Sequence, residues 1–257
     1  MKISIKRGRA IEGMRTAGRV AAEVLRACRE AVAPGVTTHD IEVVCLKTAH
    51  ALGAESSTIG YCGFPGALCV SVNDEVIHGI PGPRIIRMGD IVSLDVTINI
   101  GGWHGDNAVT VAVGEVPPET QELLDVTQRA LYAGIAAAKP GRHLSDISAA
   151  VEKVARDGHC GVVREFVGHG IGHSMHEEPQ VANFGRPGRG PILEEGMTIC
   201  IEPMFTRGSH KVEVLKDDWT VVTKDGLPAA HYEHTVLITA TGAEILTPRA
   251  DDAIWQC

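Results

Sequence analysis

The chain has 257 residues, 44% of them apolar and 22% charged, with a formal net charge of −8. That length buries a large core without requiring a second domain, and the negative balance argues against a nucleic-acid or lipid surface as the main partner. The basic start (Lys2, Lys6, Arg7, Arg9) is not followed by an apolar run, no stretch is long and apolar enough to span a membrane, and seven cysteines without CxxC spacing read as reduced cytoplasmic thiols, several packed in the core.

The periodicity predicts a helix over 10–33, closed by Pro34-Gly35, and a second amphipathic helix after Thr37-Thr38-His39-Asp40-Ile41 that runs through Val44, Cys45, Thr48 and Leu52. Residues 91–100 alternate as a strand, with Val92, Leu94, Val96, Ile98 and Ile100 on one face and Ser93, Asp95, Thr97 and Asn99 on the other. Gly101-Gly102 is a two-residue hairpin signal, which sets Ile100 opposite Trp103, Thr97 opposite Asp106 and Asp95 opposite Ala108. Asp95 and Asp106 are then diagonal neighbours on one face, and a one-residue slip would separate them. A third helix is predicted over 119–138. Pro140-Gly141 then leads into Leu144-Ser145-Asp146-Ile147 and a fourth helix through Ala150, Val151, Val154 and Ala155, repeating the first pattern 106 residues later. His169 follows in the glycine-rich run Gly168–Gly172, and two strand-like runs carry Glu202 (199–203) and Glu233 (231–236).

Asp95 matches Glu202 at nearly the same offset, and Asp106 and Glu233 complete the two halves. Two helix–helix–strand units, each giving two carboxylates, imply a site on a pseudo-twofold axis. Acids set in apolar strands need partners, because a buried unpaired charge neutralises or disrupts its surroundings. Four acids and one imidazole form a ligand set suited to a pair of divalent ions, which accounts for all five at once.

The runs Asn73-Asp74-Glu75-Val76-Ile77-His78-Gly79-Ile80-Pro81, Gly168-His169-Gly170-Ile171-Gly172, His176-Glu177-Glu178-Pro179 and Ile201-Glu202-Pro203 resemble those of type I methionine aminopeptidases, and the likeness extends from about residue 10 to 248. The resemblance implies an α/β (α+β) pita-bread fold: two pseudo-symmetric ααβ halves, about 10–115 and 119–240, around a central antiparallel sheet, with 1–257 as a single catalytic domain. It implies ligands at Asp95, Asp106, His169, Glu202 and Glu233. Asp106 and Glu233 are shared by both ions, Asp95 holds one, and His169 with Glu202 holds the other. Co, Mn, Fe and Zn all suit such a donor set.

The implied reaction removes the N-terminal initiator methionine from nascent proteins and peptides when the second residue is small. Glu202 is then general base and later proton donor, His176 stabilises the tetrahedral intermediate, and His78 bonds the substrate backbone on the leaving side. Tyr61, Phe64, Cys69, Met175 and Trp219 line the methionine slot. Met175 stands where many relatives carry Phe, and Thr58 where many carry Cys. His173, His231 and His234 read as structural. No zinc-binding or proline-rich extension precedes the catalytic region, and the spacing leaves no room for the insertion of type II relatives. These features point to a short bacterial-style enzyme, a cytoplasmic monomer that the resemblance allows a transient ribosome contact, with no membrane or direct nucleic-acid role. Two alternatives stand beside it. A proline-specific peptidase of the same fold would usually carry a separate N-terminal domain, and a non-catalytic binding module would typically have lost ligands that persist here.

Overall fold

A computed structural model describes residues 2–250 and residue 252. The remaining positions of the expected 1–257 domain, Cys257 among them, lie outside the described residues. Helix α1 (Arg9–Ala31) buries Met14, Ala17, Ala21, Val24, Leu25 and Cys28 along one stripe. It stops two residues short of the predicted end because Val32 is already extended, and Ala33 precedes Pro34, which disfavours helical backbone. Helix α2 (Thr38–Ala51) opens on a capping box: the Asp40 amide donates to Thr37 Oγ1 at 3.1 Å, and the Thr37 amide to the Asp40 carboxylate at 2.9 Å. In the second half, α3 (Pro118–Ala137) places Pro118 in its first turn, where the missing N–H costs nothing. Helix α4 (Leu144–Asp157) opens on His143, whose amide donates to Asp146 at 3.3 Å, the counterpart of Thr37 and Asp40. Thr37 and His143 also make matching single bridges, to Ile85 and Ile192.

The first half supplies β1 (Glu55–Ser56), β2 (Cys69–Val72), β3 (Glu75–Ile77), β4 (Ile91–Ile100) and β5 (Trp103–Ala112). The second supplies β6 (Gly161–Val162), β7 (Gly168–Gly170), β8 (Glu177–Val181), β9 (Thr198–Ile201), β10 (Met204–Thr206), β11 (Val212–Val214), β12 (Val221–Thr223), β13 (Ala229–His231), β14 (Glu233–Ile238) and β15 (Ala243–Ile245). The main sheet runs β1-β4-β5-β14-β9-β7-β8, with β2 also on β4 and β15 on β14. Its pairings are antiparallel, and the two halves meet at the β5–β14 contact, where Glu233 faces Ala108 and His234 faces Asn107. The β4–β5 hairpin has the predicted register, including Thr97 opposite Asp106 and Asp95 opposite Ala108. Gly101 and Gly102 take φ of +59° and +81°, the left-handed pair that a tight hairpin turn requires.

The 231–236 run is not one strand. It breaks at Tyr232, so that His231 ends β13, in a small sheet with β10 and β6, while Glu233 begins β14 in the main sheet. The Tyr232 amide turns aside to Pro203 O at 3.3 Å, and its hydroxyl donates to Thr110 O at 2.9 Å. Helix α1 packs on β4 and β5, so Val92, Leu94, Val96 and Ile98 join the helical core, while the alternate face of the hairpin carries the acids. A third sheet, β11-β12-β3, brings the segments bearing His78 and Trp219 towards that face.

Candidate metal centre and substrate pocket

The hairpin register fixes Asp95 and Asp106 on one face, and Cys69 of β2 sits opposite Asp95. Glu233 opens β14 beside Asp106's strand, and Glu202 follows the end of β9 on the other side of β14. His169 is the centre of β7. Its flanking glycines are needed because a Cβ on Gly168 would lie 2.3 Å from Cys200 O, and one on Gly170 2.2 Å from Glu178 O. The ring donates from Nδ1 to Gly170 O at 2.9 Å, which turns the Nε2 lone pair towards the acids. Nε2 lies 3.6 Å from Glu202 Oε1 and 3.8 Å from Asp106 Oδ2. Ligand atoms of Asp106, His169, Glu233 and Cys200 all fall within 4.8 Å of one another.

Burial, and then mutual repulsion, hold Asp106, Glu202 and Glu233 well above the usual carboxylate range. Burial likewise pushes Asp95 up to about 7, opposed by bonds from Asp106 and Cys69. The neighbouring imidazoles move the other way: burial lowers His78 to about 4, and His169 and His231 to about 3. Four buried acids therefore meet neutral rings, and among the described residues no lysine or arginine forms an ion pair with any of the four. Glu233 Oε1 has no hydrogen-bond partner. This donor set fits divalent cations, which would supply the missing positive charge at oxygen and imidazole ligands.

A stability consequence follows for the metal-free protein. The carboxyls' folded pKa values lie above their unfolded ones, so the stability they contribute is present at low pH and is lost as pH rises through the folded values. Above about pH 7.5 the histidines are almost wholly neutral in both states and drop out. The Tm of metal-free protein should therefore fall from about pH 7.5 to 8.5, and Asp106→Asn should flatten the fall. A Tm that rises or stays level over that interval in the wild type would contradict the burial of these acids.

Above the acids lies a cavity of about 190 Å³, and all twelve residues singled out from the sequence reach it. One wall is apolar. Phe64 and Trp219 meet edge to face at 5.1 Å between centroids, and Met175 and Cys69 are buried beside them. Tyr61 stands at the rim, where its hydroxyl lies 2.7 Å from His176 Nδ1, and the His176 ring packs on His169 at 4.2 Å. His78 holds a left-handed φ of +59°, a strained backbone that aims its ring between Phe166 and Trp219. Thr58 also reaches the cavity, its hydroxyl donating to Gly66 O at 2.9 Å.

Sequence reasoning passed over several contributors. Ile77, Phe166 and Val167 line the cavity. Thr97 donates to Asp106 Oδ1 at 2.8 Å, a contact implicit in the predicted register. Thr235 Oγ1 accepts from the Asp106 amide at 3.1 Å and donates to Asp106 O at 2.7 Å. Cys200, two residues before Glu202 and so on the same strand face, joins the cluster. Burial, reinforced by the nearby acids, raises its thiol well above the ordinary range, so it stays protonated and bonds Glu233 instead of offering a thiolate.

The sequence profile of metallopeptidase family M24 matches residues 12–240. Methionine aminopeptidase 1 of Bacillus subtilis is 45% identical over 234 residues, covering 91% of this chain and 94% of that protein. The crystal structure of a methionine aminopeptidase from Thermotoga maritima superposes with a TM-score of 0.95 at 44% identity, over 96% of this chain and all of that one. A prolidase from Pyrococcus furiosus shares the fold at a TM-score of 0.77 and 23% identity, over 95% of this chain and 65% of that one.

Proposed function

The chain belongs to metallopeptidase family M24, with its pita-bread fold, and we propose that it is a methionine aminopeptidase, hydrolysing the bond after an N-terminal methionine. The observation that carries this reading is one cavity in which the acid–imidazole cluster adjoins an apolar wall of Phe64, Cys69, Met175 and Trp219. The near-full-length likeness to methionine aminopeptidases supports it.

On this reading Asp95, Asp106, His169, Glu202 and Glu233 would hold two divalent ions, Co, Mn, Fe or Zn. Bound there, the ions would supply Lewis acidity towards water and the scissile carbonyl. Glu202, buried at the edge of the cluster with Oε1 beside the His169 ring, accepts the proton of the attacking water and returns it to the leaving amine. His176 is desolvated against its neighbours and so neutral. With the Tyr61 hydroxyl donating to Nδ1, its Nε2–H is the donor to the developing oxyanion. His78 bonds the substrate backbone on the leaving side, held there by Phe166 and Trp219. Phe64, Trp219, Cys69, Tyr61 and Met175 receive the methionine side chain, whose thioether gains sulfur–aromatic contacts.

The described chain acts as a single catalytic unit, as a monomer in the cytoplasm, on methionyl peptides and on nascent chains during transient ribosome contact. No described helix is long and apolar enough to cross a membrane. The proline-specific alternative has only the shared fold in its favour.

A panel of Met-X-Gly-Gly peptides tests the reading. Gly, Ala and Ser at X should be cleaved, and Lys or Leu at least about 100-fold more slowly, since the leaving residue meets the wall of His78 and Phe166. Met175→Phe should narrow tolerance for norleucine and bulky methionine analogues by about tenfold. Equal rates for Ala and Lys would remove the size filter, and an unchanged analogue profile would take Met175 out of the pocket wall.

A further inference from the structure

His231 has no role in the reaction as derived above, yet its placement is not that of a packing residue. Its backbone is clamped to β5: the His231 amide donates to Thr110 Oγ1 at 2.8 Å, and the Thr110 hydroxyl donates back to His231 O at 2.9 Å. Its partner across the small sheet is Met204, two residues past Glu202. The ring is 2% exposed, and neither nitrogen has a hydrogen-bond partner among the described residues. A buried polar ring left so forfeits its hydration without compensation. The nearest acid answers that need: Nε2 lies 3.9 Å from Glu202 Oε2. Glu202 is thus bracketed by two imidazoles, His169 beside Oε1 and His231 beside Oε2.

We propose that His231 is a positioning residue for Glu202: its ring donates from Nε2 to Oε2 and leaves Oε1 turned to the His169 ring. The 3.9 Å gap is too long for a hydrogen bond, and a carboxylate movement of about 1 Å closes it to the length of a charge-assisted one. A ligating carboxylate fixed in this way keeps one orientation, and the loss of such a partner typically weakens metal binding by about 10–100-fold. The inference rests on the metal-centre reading above.

The test is titration of metal-free protein with Co(II), followed by calorimetry and by the visible ligand-field spectrum, together with steady-state kinetics. His231→Leu should weaken binding at the His169–Glu202 position by about 10–100-fold, alter the spectrum, and lower kcat with KM little changed. His231→Gln, which restores an N–H donor, should recover both affinity and kcat to within about threefold of the wild type. A His231→Leu protein with unchanged affinity and spectrum would show packing alone. Complete loss of one ion would make His231 a ligand, and a His231→Gln variant as impaired as His231→Leu would show that donation is not the cause; each result overturns the proposal. Should His231→Leu not fold, the imidazole nitrogen-15 shifts of Zn(II)-loaded wild type decide: Nε2 must carry the proton, and an unprotonated Nε2 overturns the proposal. Failure of the wild type itself to bind Co(II) would instead remove the metal-centre reading, and this inference with it.

Discussion

Glu202→Ala should lose hydrolytic activity by about 10³-fold or more and bind fewer ions, while the chain stays folded. Glu202 sits at the end of β9 with Oε1 3.6 Å from the His169 ring, so its removal takes away both the proposed general base and one ligand. The metal-free fold should not suffer. Repulsion from Asp106 and Asp95 adds to the raised pKa of Glu202, and repulsion from Asp106, Glu202 and Asp95 to that of Glu233, so deleting the Glu202 carboxyl relieves part of it. Metal-free Glu202→Ala should therefore melt no lower than metal-free wild type, and the two should part only when metal is added. Asp106→Ala should lose activity equally but melt lower, because Asp106 also holds the Thr97 hydroxyl at 2.8 Å. Elemental analysis beside a thermal melt separates these outcomes. Full stoichiometry with near-normal turnover in either variant would refute the ligand assignment.

His176→Ala should lower kcat by about 10²–10³-fold with metal content unchanged, the effect of removing one oxyanion donor, about 3–4 kcal/mol. The ring stands at the rim, held by Tyr61 on one side and His169 on the other, and none of its atoms belongs to the four-residue cluster of ligand atoms. KM should change little, since the charge it meets develops only in the transition state. His78→Ala should also slow turnover but weigh more on KM, because His78 meets the ground-state backbone of the substrate. If His176→Ala released metal, the residue would be a ligand and the five-ligand set would be wrong.

Much of the site was legible in residues that obey a local rule. Period-two alternation and the Gly101-Gly102 turn together fixed which residue faces Asp106, and the register followed from counting. The repeated Pro-Gly turn and capping acid located both helix pairs, with Asp40 and Asp146 in equivalent roles. What brings Glu202 and Glu233 to the aspartates, by contrast, is the β5–β14 pairing at the pseudo-twofold axis. That contact joins residues more than 120 positions apart, and no local pattern encodes it. The same applies to Phe166, which reaches His78 only because the loop before β7 folds over the cavity. His231 reads from the sequence as structural, because no motif singles it out, and only the break at Tyr232, which turns the chain from one sheet into another, sets its ring beside Glu202. Cys200 was within reach of the same arithmetic: two residues before Glu202 on a strand, it had to share that face.

The central claim is that the buried acids and His169 hold divalent ions that make the pocket a methionine-removing site. Its most direct test is to strip the protein of metal and restore Mn(II), Co(II), Fe(II) and Zn(II) in turn, following methionine release from Met-Gly-Met-Met with Gly-Pro dipeptide as control. The account predicts activity at background in the stripped protein, recovery that saturates at no more than two ions per chain, and no cleavage of Gly-Pro. Full activity without metal, or cleavage of Gly-Pro in place of the methionyl peptide, would contradict it.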